Sequence, residues 1–237
     1  MSRATQLADI QSRIKNACIK AGRSESAVKL LAVSKTFPLS DILAFYNCGQ
    51  TSFGENYLQE ALDKITHLAD HPNAQAIEAN IEWHFIGPIQ SNKTKPIAEN
   101  FSWVHSVDRI KIAQRLSEQR PDNLVPLNVL VQINTSGEDS KSGVSPGLAI
   151  DLCRQIQGLN NITLRGLMTI PSNTDNLEQL KSEFLMCKSI FDSLNSKGLS
   201  MDTLSMGMSA DLELAIECGS TCVRVGSALF GARDYSK

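Results

Sequence analysis

The sequence predicts an α/β chain folded as a (β/α)8 TIM barrel, with one extra helix at its N-terminus. Three observations predict it. Short apolar runs of strand type alternate with helix-periodic segments along the chain, and that alternation makes a parallel sheet. There are eight such strand-then-helix units, the number that closes a barrel. The second, sixth and seventh runs are short, which favours the barrel over a doubly wound open sheet, the competing layout.

Taken in order, Thr5 to Ala21 carries Leu7, Ile10, Ile14, Cys18 and Ile19 on one helical face, and Gly22 ends it. Val28–Val33 is the first buried strand, and the helix opened by Pro38 and Ser40 runs to Tyr46. Thr51–Phe53 precedes a helix from Tyr57 to Leu68; Ile81–Ile86 precedes one after Ser91; Phe101–His105 precedes Asp108 to Gln119. Leu127–Ile133 is the clearest strand, and Pro146 starts the helix through Leu159. Thr163–Leu167 leads to a long helix from Leu177 to Leu194, and Thr203–Ser205 to a short one from Asp211 to Cys218. Cys222–Val225 is the eighth strand, with a last helical turn from Ala228. No linker or charge block divides residues 1–237, so the sequence is read as one domain.

Composition excludes several function classes. The net charge of -2 gives no electrostatic footprint for nucleic acid or an anionic membrane. The N-terminus lacks the apolar centre of a signal peptide, and no apolar run is long enough to cross a bilayer, so the chain is expected in the cytoplasm. The six cysteines are scattered and form no CxxC pair; they read as small buried hydrophobes of a reducing compartment rather than as a metal site.

Active sites of such barrels lie at the C-terminal ends of the strands. Polar residues collect there: Lys35, Glu55 and Asn56, His84, His105 and Ser106, Asn134, Thr169, Ser205 to Ser209, and Arg224 to Ser227. Lys35 is read as ending a buried strand. A lysine on a low-dielectric wall has its pKa lowered and its amine freed for carbonyl attack, although a lysine snorkelling to solvent reads the same way. Gly226 and Ser227 open a helix after the eighth strand, with Gly207 and Ser209 beside them on the seventh. That pattern suits a phosphate, or ordinary capping. Arg224 shares a face with Gly226 and needs a partner if buried, either an unprotonated ring nitrogen or a carboxylate. His84 and His105 lack a third ligand at metal spacing and are expected as hydrogen-bonded core residues. Asn56 and Asn134 orient a ligand or serve as turn residues. Lys141, on the polar loop Ser136–Gly143, is expected to be solvated.

Several stretches together resemble the pyridoxal 5′-phosphate (PLP) homeostasis proteins. They are Leu31–Lys35 (LAVSK), Phe53–Tyr57 (FGENY), Trp83–Gly87 (WHFIG) with Gln90–Lys93 (QSNK), Gly166–Pro171 (GLMTIP), Leu204–Ser209 (LSMGMS), Gly219–Gly226 (GSTCVRVG) and Phe230–Tyr235 (FGARDY). Each alone is weak; in order across nearly the whole chain they are specific. The resemblance implies a barrel similar to the N-terminal domain of alanine racemase. It implies PLP as cofactor, held as a Schiff base on Lys35, with Ser209, Gly226 and Ser227 at the phosphate. Arg224 would face the pyridine nitrogen and Asn56 the ring hydroxyl. Ser227 stands where relatives often carry threonine, and both supply a hydroxyl.

An arginine beside the pyridine nitrogen makes the ring a weak electron sink. The expected role is therefore a PLP carrier or regulator in vitamin B6 homeostasis, without robust catalysis. PLP-dependent client enzymes are possible partners, neither nucleic acid nor membrane is expected as one, and a monomer is expected. The sequence ends soon after the eighth strand, so the second domain that supplies the opposing base in alanine racemase is not expected. Two rival functions are a weak amino-acid racemase, using His84 or Tyr57 as second acid or base, and a sugar-phosphate isomerase or aldolase with Lys35 as the Schiff-base lysine.

Overall fold

The structure is a computed structural model that describes residues 2–138 and 141–231. Asp139 and Ser140 of the polar loop, and Ala232–Tyr235 of the last family motif, lie outside the described residues. Eight parallel strands close a barrel in chain order, β8 returning to β1. They are β1 (Lys29–Val33), β2 (Ser52–Glu55), β3 (Glu82–Phe85), β4 (Trp103–Val107), β5 (Leu127–Ile133), β6 (Ile162–Thr169), β7 (Thr203–Ser205) and β8 (Cys222–Val225).

The helices are α1 (Arg3–Lys20), α2 (Leu39–Tyr46), α3 (Leu58–Ala69), α4 (Ala74–Glu78), α5 (Thr94–Asn100), α6 (Ile110–Gln119), α7 (Pro146–Gln157), α8 (Leu177–Ser196), α9 (Leu212–Glu217) and α10 (Ser227–Phe230). Their apolar faces meet the outer sides of the strands, where Phe45, Ile97, Leu116 and Phe184 are fully buried. No helix among the described residues is long and apolar enough to cross a membrane.

The extra N-terminal helix is present as α1. Ser2 caps it by accepting from the Thr5 amide at 3.1 Å, and its buried stripe is Leu7, Ile10, Ile14, Ala17 and Cys18. The helix lies against α9 and α10. Arg13 ties it to the strand-end loops, donating to Glu213 at 2.7 Å and to the Ser209 carbonyl at 3.0 Å.

Several bounds differ from expectation. β6, read as short, is the longest strand at eight residues. It pairs with β5 along its whole length, and a register shift at Val129/Leu130 absorbs the Arg165–Gly166 interruption. A Cβ at Gly166 would stand 1.7 Å from the Thr203 carbonyl, so β7 can pair there only against glycine. β4 runs on to Val107 through its own register shift, which puts His105 inside the strand rather than at its end. Lys35 does not end β1; it sits two residues beyond, in a turn where Thr36 has φ +70°. The short α4 is absent from the sequence reading because its five residues carry no periodic face.

Inside the barrel the side chains divide in two. Trp103, Leu130 and Met168 form a small apolar cluster. Beside it, His84, His105, Ser205 and Arg224 form a buried polar column.

Candidate functional site at the strand ends

The turn after β1 is held by buried charge. Ser34 Oγ donates to Glu55 Oε1 at 2.6 Å, and Lys64 Nζ donates to Glu55 Oε1 at 2.8 Å and to the Ser34 carbonyl at 3.0 Å. Lys64 also reaches Glu60 at 2.5 Å, and the Thr36 amide donates to the same Glu60 oxygen at 2.6 Å. The residues on either side of Lys35 are thus fixed by side chains of β2 and α3. Burial pushes the Glu55 carboxyl above its ordinary pKa, opposed by Lys64 and by the Ser34 hydroxyl. Lys35 itself is half-buried.

Asn56 follows β2, and its Oδ1 is buried without a hydrogen-bond partner among the described residues. The loop after β3 presses against it: a Cβ at Gly87 would lie 2.1 Å from the Asn56 carbonyl oxygen. Arg224, central in β8, is 4% exposed. It donates to Ser205 Oγ at 2.8 Å and to the Thr169 carbonyl at 2.9 Å. No carboxylate forms an ion pair with it among the described residues, and burial pulls its pKa below the ordinary value. Just beyond, the Ala228 amide donates to Ser209 Oγ at 3.4 Å, joining the loops after β7 and β8.

Lys35, Asn56, Ser209, Arg224, Gly226 and Ser227 line one cavity of about 460 Å3, walled also by Val33, Ile86, Ile170 and Met208. Its volume is in the usual range for small-molecule sites. A larger cavity of about 710 Å3 lies between α1 and α9, away from the strand ends.

A family profile described as the N-terminal domain of alanine racemase matches residues 6–234. A pyridoxal phosphate homeostasis protein of Pasteurella multocida is 54% identical over 233 residues, 98% of this chain and 97% of the relative. The chain belongs to the pyridoxal phosphate homeostasis protein family. Among solved structures, PipY of Synechococcus elongatus with PLP bound is 31% identical, with a TM-score of 0.82 over 97% of this chain and 100% of that one. Alanine racemase of Clostridium difficile, at 16% identity and a TM-score of 0.72, shares the fold over 93% of this chain and 55% of its own.

The family expected from the sequence motifs is therefore the one found. Within this homeostasis-family barrel, other sequence expectations need correction. Gly207 does not line the cavity. It is buried at φ +97°, where a Cβ would stand 2.6 Å from the Ala215 Cβ, and its carbonyl accepts from the Arg224 amide. Of the two roles expected for Asn134, the structure shows the turn: it bonds the backbone of Gly137, Glu138 and Lys141. Lys141 is not a solvated loop lysine: it donates to the Pro171 carbonyl at 3.0 Å and pairs with Glu138 at 3.1 Å. It lines a second space of about 650 Å3 that shares Ile170, Met208 and Ala210 with the strand-end cavity.

Tyr57 is 53% exposed and does not line the strand-end cavity. Nor does His84, which opens toward the other end of the barrel. Lys64 and Glu60 support the site without being among the strand-end residues that the sequence marks, whereas Thr169 is among them. Only the four-residue spacing of Glu60 and Lys64 on one helix hinted at the first two, and nothing local marked the Thr169 carbonyl.

Proposed function

We propose that this protein binds PLP as a Schiff base on Lys35 and serves intracellular PLP homeostasis without robust catalytic activity. The observation that carries the reading is the convergence of Lys35, Asn56, Ser209, Arg224, Gly226 and Ser227 on one cavity. The lining suits the group part by part. Lys35 brings the amine. Asn56 Oδ1, buried without a partner, suits a hydroxyl donor. The Ser209 and Ser227 hydroxyls and the backbone N–H groups of the Gly226 turn suit a phosphate.

Arg224 carries donors only, so a ring nitrogen facing it accepts and stays unprotonated. Bound there, PLP supplies an aldehyde for the amine and a weak electron sink. Ser205 and the Thr169 carbonyl hold the guanidinium in place, and Lys64 and Glu60 hold the backbone around Lys35. A racemase needs a second acid or base opposite the lysine; the two sequence candidates, His84 and Tyr57, lie outside the cavity lining, which supports the carrier over the racemase. The working unit is one domain of residues 1–237, a cytoplasmic monomer, with PLP-dependent enzymes as its clients.

The test is an absorbance spectrum of wild type beside Lys35→Ala, before and after borohydride. A band at about 420 nm, typical of a protonated imine of PLP, is expected in wild type alone, and reduction should fix the cofactor on Lys35. No band after PLP addition would refute the reading and turn attention to phosphorylated sugars. Turnover of L- or D-amino acids by wild type, lost in Lys35→Ala, would restore the racemase.

A further inference from the structure

The other end of the barrel holds a second cavity, of about 300 Å3. It is bounded by the first residues of the strands: Lys29 of β1, Trp103 of β4, Thr203 of β7, and Thr221 just before β8. His84, His105, Arg165, Asp202 and Cys222 also line it. The volume stands at the lower end of small-molecule sites, which run from about 300 Å3 upward.

Two buried nitrogens of residues lining this cavity, His84 Nε2 and Trp103 Nε1, have no hydrogen-bond partner among the described residues. His84 is 2% exposed and Trp103 7%. Their rings stack nearly parallel, with centroids 5.4 Å apart and an interplanar angle of 8°. Orphaned buried donors are costly and therefore rare; two on residues that line one cavity point to an absent acceptor.

His84 Nε2 is a donor when the hydrogen bonds of the polar column run from Ser205 toward His84. Arg224 can only donate, so Ser205 Oγ accepts from it at 2.8 Å. The Ser205 hydroxyl is then free to donate to His105 Nδ1, 3.1 Å away. With the Ser205 hydroxyl donating, a neutral His105 keeps its proton on Nε2 and donates to His84 Nδ1 at 2.9 Å. His84 is left with its proton on Nε2. Burial holds both imidazoles below their ordinary pKa, His84 to about 4, so both are neutral at pH 7.

The nearest carboxylate does not fill the gap. Glu82 Oε2 lies 3.9 Å from His84 Nε2, and that same oxygen already takes the Lys29 ammonium and the Ser52 hydroxyl. Asp202 is bound to the Arg165 guanidinium and the Thr203 hydroxyl. Arg165 also stacks over the Trp103 ring at 4.9 Å. The rim charges thus cancel in pairs, and what remains is two neutral donors beside the ion pairs Lys29–Glu82 and Arg165–Asp202.

We propose that the base of the barrel is a second ligand site, taking a small carboxylate on the donors His84 Nε2 and Trp103 Nε1 beside Lys29 and Arg165. The site stands independently of the PLP reading. Its coupling to Arg224 through Ser205 and the two histidines matters to the cofactor only if that reading holds.

The test uses the full chain labelled with 15N and freed of PLP, with acetate and pyruvate as probes and acetamide as the neutral control. Long-range 1H–15N spectra should show His84 and His105 as Nε2–H tautomers. The Trp103 indole N–H should shift saturably with acetate or pyruvate, with a Kd below about 1 mM. Arg165→Gln should weaken that response at least fivefold while the fold is retained, and His84→Phe should abolish it. The reverse tautomers, no saturable shift with either carboxylate, or an equal response to acetamide would each overturn the proposal. All these readouts hold whether or not PLP binds Lys35, so this failure is distinguishable from failure of the Schiff-base reading.

Discussion

Replacing Lys64 by methionine should be among the most damaging single changes in the molecule that leaves Lys35 untouched. Glu55 is fully buried; its Oε1 accepts from both Lys64 and the Ser34 hydroxyl, while Oε2 has no hydrogen-bond partner among the described residues. Methionine fills the space of the lysine stem but removes the charge, leaving a carboxylate in the interior with one neutral donor. Breaking a buried pair this way costs about 3–5 kcal/mol, against a total stability of about 5–15 kcal/mol for a domain.

The cost should depend on pH in a definite sense. Burial raises the Glu55 pKa in the folded state, so the folded protein holds a proton that the unfolded chain has released. Stability then falls as pH rises through that interval, and the Lys64→Met deficit should be larger at pH 8 than at pH 5. Urea unfolding at both pH values measures it, with an unchanged m-value showing that the same surface unfolds. Glu55→Gln combined with Lys64→Met should recover most of the loss, because the isolated charge is gone. A single-variant deficit under about 1 kcal/mol, or one that grows on acidification, would refute the reasoning.

Other outcomes follow from the same geometry. The His84 pKa is lowered from 6.5 to about 4 by burial, so its contribution is present above pH 6.5 and lost as pH falls toward 4; the interval is worth about 3 kcal/mol, and His84→Phe should flatten an acid-unfolding curve there. Gly87→Ala would set a Cβ 2.1 Å from the Asn56 carbonyl; a loss of about 2–4 kcal/mol is expected in thermal unfolding, together with weaker PLP retention on dialysis. Arg224→Gln removes charged donors from Ser205 and the Thr169 carbonyl; a stability loss of about 1.5–3 kcal/mol is expected by chemical denaturation, with a shifted absorbance of bound PLP.

The barrel was legible because eight apolar runs alternate with amphipathic helices, a pattern that local periodicity carries by itself. The residues gathered in the strand-end cavity were legible for a related reason: polar groups such as Lys35, Asn56 and Ser227 directly after apolar runs have few places to go but the mouth. What stayed hidden depends on register. Whether His105 ends β4 or lies inside it turns on a shift between Val104 and Val107, which no window of sequence shows. The column from His84 to Arg224 joins residues 140 positions apart, and Lys64 reads locally as a surface lysine of an amphipathic helix although it is only 7% exposed. Such contacts are made by closure, not by neighbours in the chain.

Closure also decides when the site exists. Lys35 follows the first strand and Arg224 to Ser227 the last, and the two ends meet only because Leu31 pairs with Arg224 and Ala32 with Val225 along the β1–β8 seam. A ligand held across that seam acts as a clasp on the joint where the barrel was sealed. A chain still being synthesised has Lys35 from early on but lacks the opposite wall, Arg224 to Ser227, until its final strand emerges, so the cavity must wait for that strand. Once captured, a ligand spanning residues of the first and last strands stabilises the folded form by mass action.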